Sequence, residues 1–301
     1  MLEGVADTGY VWVHLRRDAP GNAQWLKAQS GLPVVITDGL SADDTRPRVT
    51  LHEPGALVNL RAVNLTPGAE PEDMISVRLW VDADRVVGVW LRPMRVIAGL
   101  HEALARGRGP NSPGDFVARL ATRIVEGIEP VVAALNDAVD DLEEAGENLQ
   151  RGALSEQRSR LADLRRRAIA LRRFMAPQRD ALSALASEEL PWLTRTARSG
   201  LREASDRTTR LAEELEAVRE RVGAAQDQLL DRRSEEMNRT MMLLAVVTAL
   251  FLPLGLLTGL LGINVGGMPG VESPNAFWLV CGMLLGLGLA LFAAFRWRGW
   301  L

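Results

Sequence analysis

Cysteine occurs once in this sequence, at Cys281, lysine once, at Lys27, and histidine only three times. A single cysteine has no partner within the chain, so an intrachain disulfide framework is excluded. His14, His52 and His101 stand far apart, and none is spaced as His-x-x-x-His, so no catalytic constellation, metal cluster or bound cofactor is expected. His52-Glu53 and His101-Glu102 each set two ligand types side by side. Adjacent side chains diverge on strands and helices, so both pairs read as ordinary surface or half-buried residues. Gly107-Arg108-Gly109-Pro110 lacks the Lys-Ser/Thr of a phosphate loop and reads as a linker. The basic residues are almost all arginine, yet the first 240 residues carry 37 of the 38 acids and 33 of the 35 basic residues, a net charge of −4. That balance excludes nucleic acid as the main partner, which needs a concentrated positive face. Residues 1–7 hold neither a basic region nor an apolar run, so no secretory signal is expected and the body is placed in the cytoplasm.

Charge is scarcest at the other end. From Met241 to Leu301 only Glu272, Arg296 and Arg298 are charged, which excludes a purely soluble protein. Met241–Leu261 and Ala276–Phe295 are apolar runs, each of which covers about 30 Å as a helix, the thickness of a hydrocarbon core. Arg232, Arg233 and Arg239 precede the first run and Arg296 and Arg298 follow the second, whereas residues 262–275 between them hold no basic residue. Both termini are therefore expected on the cytoplasmic side, with a short outer loop. Trp278 at one end and Trp297 and Trp300 at the other fit interfacial anchors.

The first hundred residues predict a mixed α/β body. Short strands are expected at Val11–Leu15, Val34–Ile36, Arg48–His52, Ala56–Val63, Ile75–Leu79 and Arg85–Leu91, with a helix over Asn22–Ser30. Pro54-Gly55 and Asp82-Ala83-Asp84 are the turns, giving one mainly antiparallel or mixed sheet. After Pro93 the pattern becomes helical. Ser112-Pro113-Gly114-Asp115 is a helix start, with a Ser cap, proline in the first position and an acid in the first turn. Phe116, Leu120, Ile124, Ile128, Val131, Leu135, Val139 and Leu142 then recur at helical spacing through Pro130. A second helix runs from about Leu154 through Pro177, and Pro191 marks the next break. From Trp192 no proline follows until Pro253, so one helix of about 60 residues, roughly 90 Å long, is expected to leave the body and continue into the first span. A lone helix of that length is unstable, so it must pack on its neighbours or on copies of itself. The expected division is residues 1–190 body, 191–240 stalk, 241–262 first span, 263–275 outer loop, 276–295 second span and 296–301 basic tail.

Read in sevens, the long helix presents Asp227, Ser234, Met241, Thr248, Gly255 and Gly262, flanked by the series Asp231, Asn238, Ala245, Leu252 and Gly259. A seven-residue period keeps one seam of near-parallel helices facing a common axis. In a ring of subunits Asp227, Asp231, Ser234, Asn238, Met241, Thr248 and Gly255 would line a pore with carboxylates in its cytoplasmic mouth. The competing reading is that small residues only let helices pack closely in lipid. The span ends at Gly262-Ile263-Asn264, where glycine permits a tight turn and the Asn amide offers a neutral carbonyl oxygen. A ring of such carbonyls can hold a hydrated cation through its water shell.

A cytoplasmic α/β body, a long stalk, two C-terminal spans and Gly-x-Asn between them resemble the CorA superfamily of divalent-cation transporters, over nearly the whole chain. Ile263 in place of the methionine of Gly-Met-Asn, and Met268-Pro269-Gly270 in place of an acidic Met-Pro-Glu, make it look more like the zinc-transporting ZntB branch. Val58–Leu65 and Glu72–Trp80 look like the same branch, as family markers rather than sites. The resemblance implies a funnel-shaped homopentamer with one axial pore in the bacterial inner membrane, with Gly262, Ile263 and Asn264 as its selectivity filter. It implies Zn2+ movement, with uptake linked to the proton gradient and efflux as the alternative direction. Glu272 would add a ring of carboxylates at the outer entrance that concentrates cations. A magnesium, cobalt or nickel channel of the same architecture is the runner-up. A membrane-anchored coiled-coil sensor is the reading from another class, opposed by a 14-residue loop too short for a sensor domain. A membrane-bound enzyme is opposed by the missing active-site pattern.

Overall fold

The computed structural model describes residues 9–43, 46–90, 92–147, 154–263, 270 and 273–299. Five strands form one mixed sheet: β1 (Val11–Arg16), β2 (Arg48–His52), β3 (Gly55–Ala62), β4 (Ile75–Val81) and β5 (Arg85–Trp90). Their order is β1-β5-β4-β3-β2. Strands β2 to β5 form an antiparallel meander, with tight turns joining β2 to β3 and β4 to β5 and a longer connection joining β3 to β4, while β1 lies parallel on β5, with Val11 opposite Arg85. Asp82 makes the β4–β5 turn: one carboxylate oxygen accepts the Asp84 and Arg85 amides at 3.0 and 2.9 Å, and the other accepts the Trp80 indole N–H at 2.8 Å.

Two short helices, α1 (Asn22–Ala28) and α2 (Val34–Ser41), follow β1. Residues Val34 to Ile36, expected as a strand, instead open α2. A run of three apolar residues does not distinguish the two states. The chain leaves Pro33 extended, and the Pro33 carbonyl accepts the Ile36 and Thr37 amides at 2.9 and 3.1 Å. The helix turns Ile36, Thr37 and Leu40 inward and leaves Val34 and Val35 more than 70% exposed, which a strand pairing could not do. Ile36 and Leu40 join Leu26, Leu57, Trp80 and Val89 in the core on this face of the sheet.

The opposite face carries Trp12 and His14 and is covered by α3 (Arg95–Ala105) and α4 (Pro113–Glu147). Helix α4 starts as its sequence requires. Ser112 Oγ accepts the Asp115 amide at 3.1 Å, and the Asp115 carboxylate accepts the Asn111 amide at 2.9 Å. Its predicted apolar positions from Phe116 to Leu142 are all buried. Helix α5 (Leu154–Ser187) continues through Pro177, and α6 (Arg195–Gly262) continues through Pro253.

Contacts divide the chain into residues 1–226 and 227–301. In the first unit α6 buries Leu201, Thr208, Leu211, Leu215, Val218 and Val222. Ion pairs add Arg207 to Glu129 at 2.7 Å, Arg172 to Glu216 at 2.8 Å and Arg221 to both Asp140 and Glu143. Part-exposed pairs contribute about 0–1 kcal/mol each, against about 1.5–3 kcal/mol for each buried leucine or valine, so the apolar face holds the helices together. In the second unit α6 is followed by α7 (Ala276–Trp297).

Candidate functional site

Among the described residues, two helices are long and apolar enough to cross a membrane, α7 and the last part of α6. Within the apolar run of α6, the least exposed positions are Val246, Leu250, Pro253, Leu254 and Leu257, recurring at three- and four-residue steps. The matching positions on α7 include Val280, Leu284, Leu287, Gly288 and Leu291. A methyl group built on Gly288 would lie 3.9 Å from Leu254 Cδ1, so the two stripes pack on each other. Proline at 253 is tolerated here because a helix in lipid can re-satisfy one freed carbonyl locally.

The seven-residue series occupies the other side. Met241, Thr248, Gly255 and Gly262 lie about 160–220° around α6 from Val246, at about 100° per residue. All four are exposed within the chain, Met241 at 55%. Asp227, Asp231, Ser234 and Asn238 are exposed on the preceding turns. The structure thus brings the predicted residues from Asp227 to Gly255 onto a single helix and turns the membrane part of their stripe away from α7. Gly255, Gly259 and Gly262 meet nothing within 4 Å of an added methyl group, so no packing inside the chain requires these glycines.

Chemically the membrane part of the stripe, Met241, Thr248, Gly255 and Gly262, is uncharged and carries one side-chain hydroxyl. The Thr248 hydroxyl donates to the Leu244 carbonyl at 2.8 Å, which commits its proton to the helix and leaves oxygen lone pairs facing outward. Oxygen lone pairs of this kind suit hard, hydrated divalent cations. Helix α6 ends at Gly262, and the Ile263 amide donates to the Leu260 carbonyl at 3.4 Å, a tighter final turn that leaves Ile263 exposed. Asn264 and Glu272 lie outside the described residues.

The histidines do something the sequence gave no sign of. His14 on β1 and His101 on α3 come together, ring centroids 6.4 Å apart, inside an aromatic group. His101 stacks on Trp12 at 4.3 Å and His14 on Trp90 at 5.1 Å. Burial, with a smaller contribution from His101, pushes the His14 pKa down to about 3, so the ring is neutral at physiological pH. Two imidazoles in an apolar pocket make a poor home for a dication, and among the described residues no three His, Cys, Asp or Glu side chains cluster as metal ligands. His101-Glu102 does not converge either, since Glu102 pairs with Arg106 at 3.1 Å. His52 lies on the exposed strand β2 with Nδ1 3.1 Å from the Glu53 carbonyl.

Comparison with known proteins gives the same picture along the whole length. The family model for the CorA-like Mg2+ transporter protein matches residues 7–296. The divalent cation transporter CmaX of Pseudomonas aeruginosa PAO1 is 41% identical over 97% of this chain and 87% of that protein. The zinc transport protein ZntB of Yersinia pestis is 32% identical over 96% of this chain and 88% of that protein. The solved structure of full-length CmaX superposes with a TM-score of 0.82 at 40% identity, covering 95% of this chain and 88% of that one.

Proposed function

This chain belongs to the CorA-like Mg2+ transporter family, whose members move divalent cations, and on that premise we propose that its cargo is Zn2+, taken up through an axial pore of a homopentamer. The observation that carries the pore is the stripe on α6: small and polar residues exposed within the chain and, in its membrane part, turned away from α7. Copies arranged about an axis would bury that stripe against one another, with Asp227 and Asp231 in the cytoplasmic mouth, then Ser234, Asn238, Met241, Thr248 and Gly255. Gly262, Ile263 and Asn264 then form the outer filter, where the Asn amides hold the ion through its water, and Glu272 gathers cations in front of it.

Zinc is favoured over magnesium by Ile263 where the magnesium members resembled above carry methionine, and by the near full-length match to a zinc transport protein. The arginines flanking both spans support an inner-membrane protein with both termini cytoplasmic. In this reading the Asn264 amides grip the water shell rather than the metal, so the cargo travels hydrated, and its movement follows the electrochemical gradient and the coupled proton gradient. Reconstitution tests the reading: purified protein in proteoliposomes, loaded with a metal-sensitive dye, should admit Zn2+ faster under an inward proton gradient than without one. Mg2+, Co2+ or Ni2+ flux that exceeds Zn2+ flux and ignores pH overturns the zinc assignment.

A further inference from the structure

The first unit contains a cavity of about 390 Å³ whose chemistry is opposite to that of a cation path. It lies where β3, β4, the segment after β5 and α5 meet, and four of its lining residues are Arg61, Arg78, Arg92 and Arg173. Three acids share the lining, Asp43, Glu72 and Asp73. Two of them already pair with arginines from outside it: Glu72 with Arg167 at 3.1 Å and Asp43 with Arg17 at 2.7 Å. Counted over the lining alone, four arginines face three acids, so the cavity stays net positive.

Two of the four guanidinium groups are built in rather than draped on the surface. Arg78 is 3% exposed and Arg61 8%. Arg78 donates to the Asp43 carbonyl at 3.0 Å and Arg61 to the Met74 carbonyl at 2.9 Å, bonds that fix their orientation. Register sets them on one face of the sheet, with Asn59 opposite Arg78 and Ser76 opposite Arg61. Phe174 then fixes a third: the guanidinium carbons of Arg61 and Arg173 lie over its ring, 4.7 and 4.6 Å from the centroid. Held over the Phe174 ring, Arg173 presents a planar fork that matches a phosphate in two-point contact, and the buried Arg61 and Arg78 make the floor beneath it positive. The Ser76 hydroxyl, also in the lining, adds a donor.

We propose that this cavity binds a phosphate-bearing ligand, gripped by Arg92 and Arg173 from its rim above the positive floor that Arg61 and Arg78 make. Such a ligand joins the sheet to α5, the helix that packs on α6 through Arg172 and Glu216. None of its lining residues is among those assigned to the cation path, so the proposal does not depend on which cation is moved.

Isothermal titration of the full-length protein in detergent, in metal-free buffer with a chelator, tests this with inorganic phosphate, pyrophosphate and ATP as probes. The expected result is saturable binding of at least one probe at one per chain. Arg92→Ala and Arg173→Ala should each weaken it at least tenfold, and Arg173→Lys should give an intermediate affinity. Both arginines are exposed and their removal leaves the buried pair in place, so the variants should elute and unfold like the parent. ATP binding tighter than pyrophosphate assigns a nucleotide, equal affinities assign a polyphosphate, and phosphate binding as tightly as either assigns the free anion. Absence of saturable binding by all three probes up to a few millimolar, or binding that Arg92→Ala and Arg173→Ala leave unchanged, overturns the proposal.

Discussion

Gly255→Leu separates a pore-facing stripe from a lipid-facing one. An added methyl group at Gly255 meets nothing within 4 Å inside the chain, so leucine there clashes with no neighbour of its own subunit. Replacing a mid-helix glycine by leucine improves helix propensity by roughly 0.6–1 kcal/mol, so the isolated chain should gain slightly in stability. If the stripe faces an axis shared by several copies, the same change plants a leucine from each copy at one level of the path. A ring of leucines narrows it and expels water, and a hydrophobic constriction of this kind stops hydrated ions, so flux should fall by at least about tenfold. The control is Leu256→Ala, one residue on and about 100° around the helix, where leucine is 65% exposed; its flux should stay within about twofold of the parent. Both variants go into proteoliposomes beside the parent, with assembly checked by size-exclusion chromatography coupled to light scattering. Parental flux through correctly assembled Gly255→Leu refutes the assignment of this face to the pore.

Three further outcomes follow from other parts of the structure. Asn264→Ala should abolish or strongly reduce flux while leaving the oligomer intact, and normal transport by the assembled variant removes Asn264 from the filter. His14 ordinarily titrates near 6.5 but is held down to about 3 in the fold, so below pH 6.5 the unfolded chain takes up a proton that the folded chain refuses. Stability should therefore drop as pH falls from 6.5 toward 3, by up to about 1.4 kcal/mol per unit and about 2 kcal/mol by pH 5. His14→Phe, which keeps the stacking on Trp90, should flatten that slope, and parallel melting-temperature losses in parent and variant between pH 7 and 5 contradict it. Ser112→Ala removes the acceptor for the Asp115 amide and should cost about 1 kcal/mol, read as a lower midpoint of thermal unfolding; no change argues that Asp115 alone holds the helix start.

Long, regular patterns were legible in the sequence and short or distant ones were not. The apolar runs at 241–261 and 276–295 exceed what a soluble core needs, and the Ser112-Pro113-Gly114-Asp115 start carries its own cap, so these elements follow from local chemistry. Val34–Ile36 carries no period of its own, and the core around Leu57 and Trp80, not its β-branched residues, decides that it is helical. The seven-residue stripe was readable from Asp227 to Gly262, but which face α7 covers depends on packing between Leu254 and Gly288, which no single helix encodes. The arginine-lined cavity draws on residues from 43 to 174, and the His14–His101 pair on a parallel strand pairing, so neither leaves a motif in the chain.

The parallel placement of β1 on β5 bears on how the protein is made. Val11 pairs with Arg85, 74 positions later, and every other pair in that ladder is equally distant. At about 5–20 residues per second, β1 leaves the ribosome roughly 4–15 s before its partner exists. Through that interval Trp12, buried in the finished sheet, lacks the His101 and Phe116 rings it packs on, which follow later still. The antiparallel strands β2, β3 and β4 can pair meanwhile, so the first strand synthesised is the last to dock. Nascent chains stalled before residue 85 should consequently expose an unpaired strand, a natural target for the chaperones that meet the polypeptide at the tunnel exit.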